Sequence, residues 1–174
     1  SNDKEIFFII NKSDLLSSDV RKHWAQYFTE NKMNYVFFSA LEEIIKIENE
    51  EDKPITDDIK EEEKKEEVSL DIKIHNREEL INLFRTITKT KQKNQNHEFY
   101  SIGFIGYPNV GKSSVINVLM KKKRVGVAMM PGKTKHYQTL FLPDDKEYCL
   151  MDCPGLVFPS FTSSKADMLV NGIL

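Results

Sequence analysis

Apolar runs at residues 5–10, 35–38 and 99–105, each bounded by polar or turn-forming positions, predict three strands, the first buried on both faces. After the first run, Ser18 or Asp19 can cap a helix over 20–30, where Val20, Trp24, Tyr27 and Phe28 recur at helical spacing and predict Trp24 in the core. Residues 78–87 predict a second amphipathic helix, with Leu80, Ile81, Leu83, Phe84 and Ile87 on its apolar side. A third helix over 112–120 follows the third run directly. Residues 136–142 and 147–151 flank Pro143-Asp144-Asp145-Lys146 and predict a β-hairpin, and a short helix is expected from Ser163 or Ser164 onward. No internal repeat is visible.

Between residues 42 and 67 the pattern breaks down: thirteen Asp or Glu stand against five Lys, with almost nothing to build a core. Such a segment cannot bury enough apolar surface to offset its ordering, so 42–70 is read as a disordered acidic insertion, with an acidic interaction segment as the alternative. Residues 71–97 then hold the second helix and a polar, basic connector. The flanking stretches 1–41 and 98–174 are expected to be two halves of one domain, which suits 174 residues of which 40% are hydrophobic.

The formal net charge of −2 offers no global case for nucleic acid or a membrane surface, and neither a membrane nor DNA is expected as a partner. Cys149 and Cys153 are too few for a disulfide framework and suit a reducing compartment. No run approaches the roughly eighteen apolar residues of a membrane span, and no signal peptide is visible, so a soluble intracellular protein is expected.

Candidate chemistry sits where strands give way to loops. Gly106-Tyr107-Pro108-Asn109-Val110-Gly111-Lys112-Ser113 matches G-x-x-x-x-G-K-[ST], between a strand and a helix. Such a loop wraps phosphates with backbone N–H groups at a helix N-terminus. Lys112 is expected to reach the β- and γ-phosphates and Ser113 to bind Mg²⁺. Asn11-Lys12-Ser13-Asp14 ends the first strand, and Asp14 supplies the acceptor carboxylate that a guanine N1–H and N2–H₂ edge requires and adenine does not. Asn11 supplies an amide for the other side of the base, Lys12 a stem along its face, and Ser39-Ala40 a backbone N–H toward O6. Asp152-Cys153-Pro154-Gly155 follows the hairpin, with Asp152 in reach of Mg²⁺ and the Gly155 N–H toward the γ-phosphate. Thr134, in Pro131-Gly-Lys-Thr-Lys-His136, is the candidate second Mg²⁺ ligand in the GTP state, with Thr139 also available.

Guanine motif, phosphate loop, switch threonine and Asp-x-x-Gly follow in that order, a rotation of the usual GTPase sequence. In this the chain resembles the circularly permuted GTPases of ribosome assembly. Phe38-Ser39-Ala40, residues 131–142 and residues 152–161 resemble the eukaryotic large-subunit GTPase 1 family more narrowly. The resemblance implies an α/β fold, a P-loop NTPase three-layer sandwich with a mostly parallel sheet, present here as a fragment without a central strand that precedes the guanine motif in that family. It implies GTP or GDP with Mg²⁺ as cofactors, held by Asn11, Lys12, Asp14, Ser39, Ala40 and the loop residues Asn109, Val110, Gly111, Lys112, Ser113 and Ser114. Lys112, Thr134 and Gly155 would be the catalytic residues, Ser113, Thr134 and Asp152 the Mg²⁺ ligands, and Asn109 a K⁺ ligand. The resemblance implies a cytoplasmic enzyme whose partners are the pre-60S ribosomal particle and a nuclear export adaptor that it helps to release. Separately, the basic run from Lys121 to Arg124, with Lys133 and Lys135, is read as facing ribosomal RNA, with simple solvation at a helix end as the alternative. Leu156 stands where familiar small GTPases carry a water-orienting glutamine, so hydrolysis is expected to be slow alone and stimulated on the particle. A nucleolar or organellar permuted GTPase, or a non-hydrolysing scaffold whose acidic insertion recruits partners, are the alternatives.

Overall fold

The computed structural model describes residues 4–51, 70–89, 99–121, 137–156 and 165–170. Where composition predicts one domain, the chain divides into two compact units, Ser1–Asn76 and Arg77–Leu174, each with its own three-stranded sheet.

In the first unit, β1 (Phe8–Ile10), β2 (Tyr35–Phe38) and β3 (Ile74–His75) pair in that order, all parallel. The crossover from β1 to β2 is α1 (Ser18–Glu30). Its cap is Ser17, one residue before the expected position, whose Oγ accepts from the Val20 N–H at 3.4 Å. Central β2 carries the core, with Val36, Phe37 and Phe38 buried on both faces. Expected to be similarly enclosed, β1 is instead an edge strand among the described residues, and its Phe8 remains 42% exposed. Trp24 also departs from the core position that helical spacing assigns it: it is 44% exposed, and the buried residue of α1 is Ala25. Helical period marks one apolar face, and here Ala25 is the residue of α1 that is fully buried, with Phe28 lying half-buried over the ends of β1 and β2. The larger rings pack on one another, Trp24 against Tyr27 and Phe28 with centroids 5.8 Å from each, and Phe28 against Phe8 and Tyr35.

Two elements of this unit went unforeseen. The acidic stretch from residue 42 does not begin as coil, because α2 (Ala40–Glu51) carries helix ten residues into it. Its first turn is anchored by the Glu43 N–H donating to the Ser39 carbonyl, and by Lys46 bonding Glu43 at 2.7 Å. The rest of the expected insertion, 52–69, lies outside the described residues. Strand β3 is too short to show a period; Arg21 fixes its approach by donating from Nε to the Ile72 carbonyl at 3.0 Å.

In the second unit, α3 (Arg77–Thr88) is followed by β4 (Tyr100–Phe104), α4 (Lys112–Leu119), β5 (Gln138–Phe141), β6 (Tyr148–Asp152) and α5 (Lys165–Val170). The sheet order is β4-β6-β5, with β4 parallel to β6 and the expected hairpin antiparallel, Leu140 opposite Leu150. Leu80, Ile81 and Phe84 of α3, Val115, Ile116, Val118 and Leu119 of α4, and Leu150 of β6 are all buried. Three of the four strand pairings among the described residues are parallel, the pattern of an α/β nucleotide-binding fold. No helix among the described residues is long and apolar enough to cross a membrane.

Candidate functional site

The expected site residues assemble in two groups, one in each unit. In the first, the backbone leaves β1 through Lys12 in the left-handed region, φ 61°, and turns into a 3₁₀ turn over Ser13–Leu15. Ser13, to which the sequence assigns no role, is fully buried, and its Oγ donates to the Ile10 carbonyl at 2.6 Å, locking the turn to the end of the strand. The Asp14 carboxylate is held from β2's end: Ser39 Oγ donates to Asp14 Oδ1 at 2.7 Å. The same Ser39 oxygen accepts from the Glu42 N–H at 3.2 Å, so one hydroxyl caps the start of α2 and orients the acid. Asn11 Oδ1 accepts from the Ala40 N–H at 3.1 Å. The Ala40 amide expected to face a purine oxygen is therefore engaged within the chain. All five residues assigned to guanine, Asn11, Lys12, Asp14, Ser39 and Ala40, thus lie at the ends of two adjacent parallel strands.

The second group is built on the loop between β4 and α4. Two left-handed residues shape it, Asn109 at φ 60° and Gly111 at φ 96°. At Gly111 only glycine takes that conformation without strain, and it leads straight into the N-terminus of α4. Asn109, expected as a K⁺ ligand, has a backbone reason for its identity that needs no ion, because asparagine tolerates the left-handed region better than most residues. Lys112 folds back over the loop, its Nζ donating to the Gly106 and Tyr107 carbonyls at 2.9 and 2.7 Å. Desolvation depresses its pKa, opposed by the nearby Asp152 and Cys153. Ser113 Oγ donates to Asp152 Oδ2 at 2.7 Å, across 39 residues of sequence. Asp152 is 1% exposed, a carboxylate enclosed at the end of β6.

Gly155 completes this group by resting on the phosphate-loop turn, and the following residue ties it down, with the Leu156 N–H donating to the Gly106 carbonyl at 3.1 Å. Pro108 and Gly106 are thereby structural partners of the Asp-x-x-Gly segment, a relation that no sequence spacing signals. Val110 is exposed and Ser114 half-buried beside Ser113. Thr134 and the rest of its segment, 131–136, lie outside the described residues, as do residues 122–124 of the basic run that begins at Lys121. The alternative Thr139 is set in the β5 ladder opposite Met151. Cys149 and Cys153 are free thiols, both pushed up in pKa by desolvation.

A parallel strand, a glycine-bounded loop, a helix and a hairpin ending in Asp-x-x-Gly are the parts of a P-loop GTPase domain, here preceded in the chain by the guanine motif instead of followed by it. A family model described as a 50S ribosome-binding GTPase matches residues 101–173, the half that starts at the phosphate-loop strand. GTPase LSG1-2 of Arabidopsis thaliana is 40% identical to the chain, covering 98% of it and 31% of the relative. Large subunit GTPase 1 of Schizosaccharomyces pombe is 37% identical over 98% of the chain, and that of Saccharomyces cerevisiae 36% over 98%; the chain spans 28% of each. Over nearly its whole length the chain is similar to these large subunit GTPase 1 proteins, and it spans less than a third of their length.

Proposed function

We propose that this chain is the nucleotide-binding core of a cytoplasmic enzyme that binds and hydrolyses GTP during maturation of the large ribosomal subunit, where it acts on the pre-60S particle and helps release an export adaptor. The observation that carries the nucleotide reading is the 2.7 Å bond between Ser113 and Asp152, which joins the phosphate-loop hydroxyl to the Asp-x-x-Gly carboxylate. Both are hard oxygen donors of the kind Mg²⁺ selects, so the donor set fits that ion. Bound there, Mg²⁺ would offset negative charge on the β- and γ-phosphates.

The chain's own groups have the following roles in this reading. Lys112 exchanges its carbonyl partners, Gly106 and Tyr107, for phosphate oxygens, and its desolvated ammonium gains more from an anion than an exposed one would. The N–H groups at the head of α4 bind the same phosphates. Asp14, oriented by Ser39, accepts from the guanine edge, while Asn11 and Lys12 flank the base. Gly155 presents its N–H to the γ-phosphate, and Thr134 supplies the second metal ligand. Leu156 has no group with which to orient water, so turnover is slow until the ribosomal particle supplies one, and K⁺ at Asn109 assists. In this reading, Lys121 and the basic residues after it supply the positive charge that ribosomal RNA would meet.

Titration of the protein with fluorescent GDP, in competition with ATP, tests the nucleotide reading; displacement by ATP as efficient as by GTP would remove it. Single-turnover GTP hydrolysis with and without purified large subunits tests the rest. Absence of both basal and stimulated turnover would leave a binding scaffold in place of an enzyme.

A further inference from the structure

Arg77 opens α3 with its side chain only 4% exposed. Its Nε donates to the Val118 and Leu119 carbonyls, both at 3.1 Å, and its Nη2 donates to the Leu119 carbonyl at 2.7 Å. Nη2 also meets Asp144 Oδ2 at 2.6 Å, and Nη1 meets Glu78 Oε1 at 2.5 Å. Val118 and Leu119 end α4, where the last carbonyls lack i+4 partners and the helix dipole is negative; the Val118 carbonyl also accepts from the Lys121 N–H at 3.0 Å. Asp144 lies in the turn that leads into β6. One buried guanidinium therefore ties the C-terminus of α4 to the start of the β6 arm.

The opposite ends of the same two elements carry Ser113 and Asp152, themselves bonded at 2.7 Å. Helix α4 spans only about two turns, roughly 12 Å, and over that length it transmits a displacement of one end to the other with little loss. Held at both ends, α4 and β6 have one mutual angle; released at the Arg77 end, they pivot about the Ser113–Asp152 contact. Its carboxylate partners are half-exposed or more, and ion pairs that water reaches add little net stability, so what this cluster chiefly specifies is geometry.

We propose that Arg77 is a positioning residue for the Ser113–Asp152 pair, setting the separation at which a hydroxyl and a carboxylate hold a divalent cation beside the nucleotide. The inference rests on the reading of that pair as the Mg²⁺ site. A lysine does not replace Arg77, because a single ammonium cannot reproduce a planar fork that serves two carbonyls and two carboxylates.

The test uses the full chain loaded with fluorescent GDP and measures nucleotide release in excess Mg²⁺ and again in EDTA. The ratio of the two rates reports the cation's hold, and Mn²⁺ titration followed by electron paramagnetic resonance reads the same site without turnover. Arg77→Lys is expected to reduce the ratio and the Mn²⁺ affinity by about tenfold, the scale of losing an outer-sphere support of a metal site, with release in EDTA unchanged. Asp144→Asn keeps the carbonyl bonds at a half-exposed position that folds readily, and it should give a smaller fall in the same direction. Leu80→Ala, which removes a buried side chain from the same helix, should lower the melting temperature and leave the ratio at its wild-type value. Wild-type ratios in both Arg77→Lys and Asp144→Asn overturn the proposal and leave Arg77 a stabilising residue only. A wild-type protein whose GDP release ignores Mg²⁺ overturns the site reading itself, and the proposal with it.

Discussion

Gly155 lies against Pro108 with no space for a side chain: a Cβ on Gly155 would stand 2.8 Å from both the nitrogen and the Cγ of Pro108. Pro108 is part of the phosphate loop, so a methyl group at 155 meets backbone and not the yielding tip of a side chain. Relief requires the Asp-x-x-Gly segment to lift from the loop, breaking the Leu156–Gly106 bond. Gly155→Ala is expected to lower stability by about 1–3 kcal/mol, the usual cost of overpacking, and to slow single-turnover GTP hydrolysis by at least about tenfold. GDP affinity should change much less, since no γ-phosphate is then present. Melting curves and hydrolysis under single-turnover conditions check both parts, and a variant with wild-type turnover would exclude the assigned role of Gly155.

Ser39→Ala removes the hydroxyl that holds the Asp14 carboxylate and caps α2. Hydrogen bonds to charged groups contribute about 1.5–3 kcal/mol, so guanine nucleotide affinity should fall on the order of tenfold. Asp14→Asn should move preference from guanine to xanthine nucleotides, because the acceptor becomes a donor on one side. Competition of fluorescent GDP by GDP and XDP measures both. Unaltered guanine preference in Asp14→Asn would mean that this carboxylate does not meet the base.

Lys112→Ala should abolish detectable nucleotide binding, since it removes the cation that the phosphates attract. The fold should survive, because the lysine's present partners are loop carbonyls at a half-buried position that water can reach. Calorimetric titration with GDP, beside a circular dichroism melt, separates the two effects.

The Arg77–Asp144 pair carries a pH signature. The Arg77 hydrogen bond and charge, with Lys121 and Arg85 nearby, hold the Asp144 carboxyl below its ordinary value of 3.8, against a smaller effect of desolvation. A carboxyl depressed on folding contributes stability that is complete above the unfolded value and is lost as pH falls through the folded one. The melting temperature of wild type should therefore exceed that of Asp144→Asn near neutrality, with the gap closing below about pH 4. A gap that persists in acid would show that the pair's charge is not what stabilises this turn.

Trp24 is the only tryptophan in the chain and is nearly half exposed. Its fluorescence should be quenched readily by acrylamide, and Trp24→Ala should cost well under the roughly 3–5 kcal/mol typical of a buried aromatic. A blue-shifted, quencher-resistant emission would return Trp24 to the core.

That residue also shows where sequence reading stops. Helical spacing identified the apolar face of α1, but which part of that face meets the sheet depends on how the helix is set against it, and Ala25 is what it buries. Strand β2, the hairpin and the phosphate-loop helix were legible to within a residue or two, because each combines a local period with a turn signal at its boundary. Strand β3 was not, being two residues whose approach Arg21 of another element fixes through the preceding Ile72 carbonyl. The helical start of the acidic stretch was also hidden, since net charge described the whole segment while local capping at Ser39 decided its first turns.

The amino-acid sequence alone determined the chemistry available: an acid at position 14, a glycine-bounded loop ending in Lys112 and Ser113, an acid at 152, and their rotated order. These are matters of residue type and spacing within one strand-loop junction, which short-range geometry dictates. Only the tertiary structure decided that Ser39 orients Asp14, that Ser113 meets Asp152, that Gly155 rests on Pro108 and that Arg77 joins α4 to the hairpin. Each of those contacts links residues 25 to 67 positions apart, and at that separation the packing of whole elements, not the pattern along the chain, selects which side chains touch.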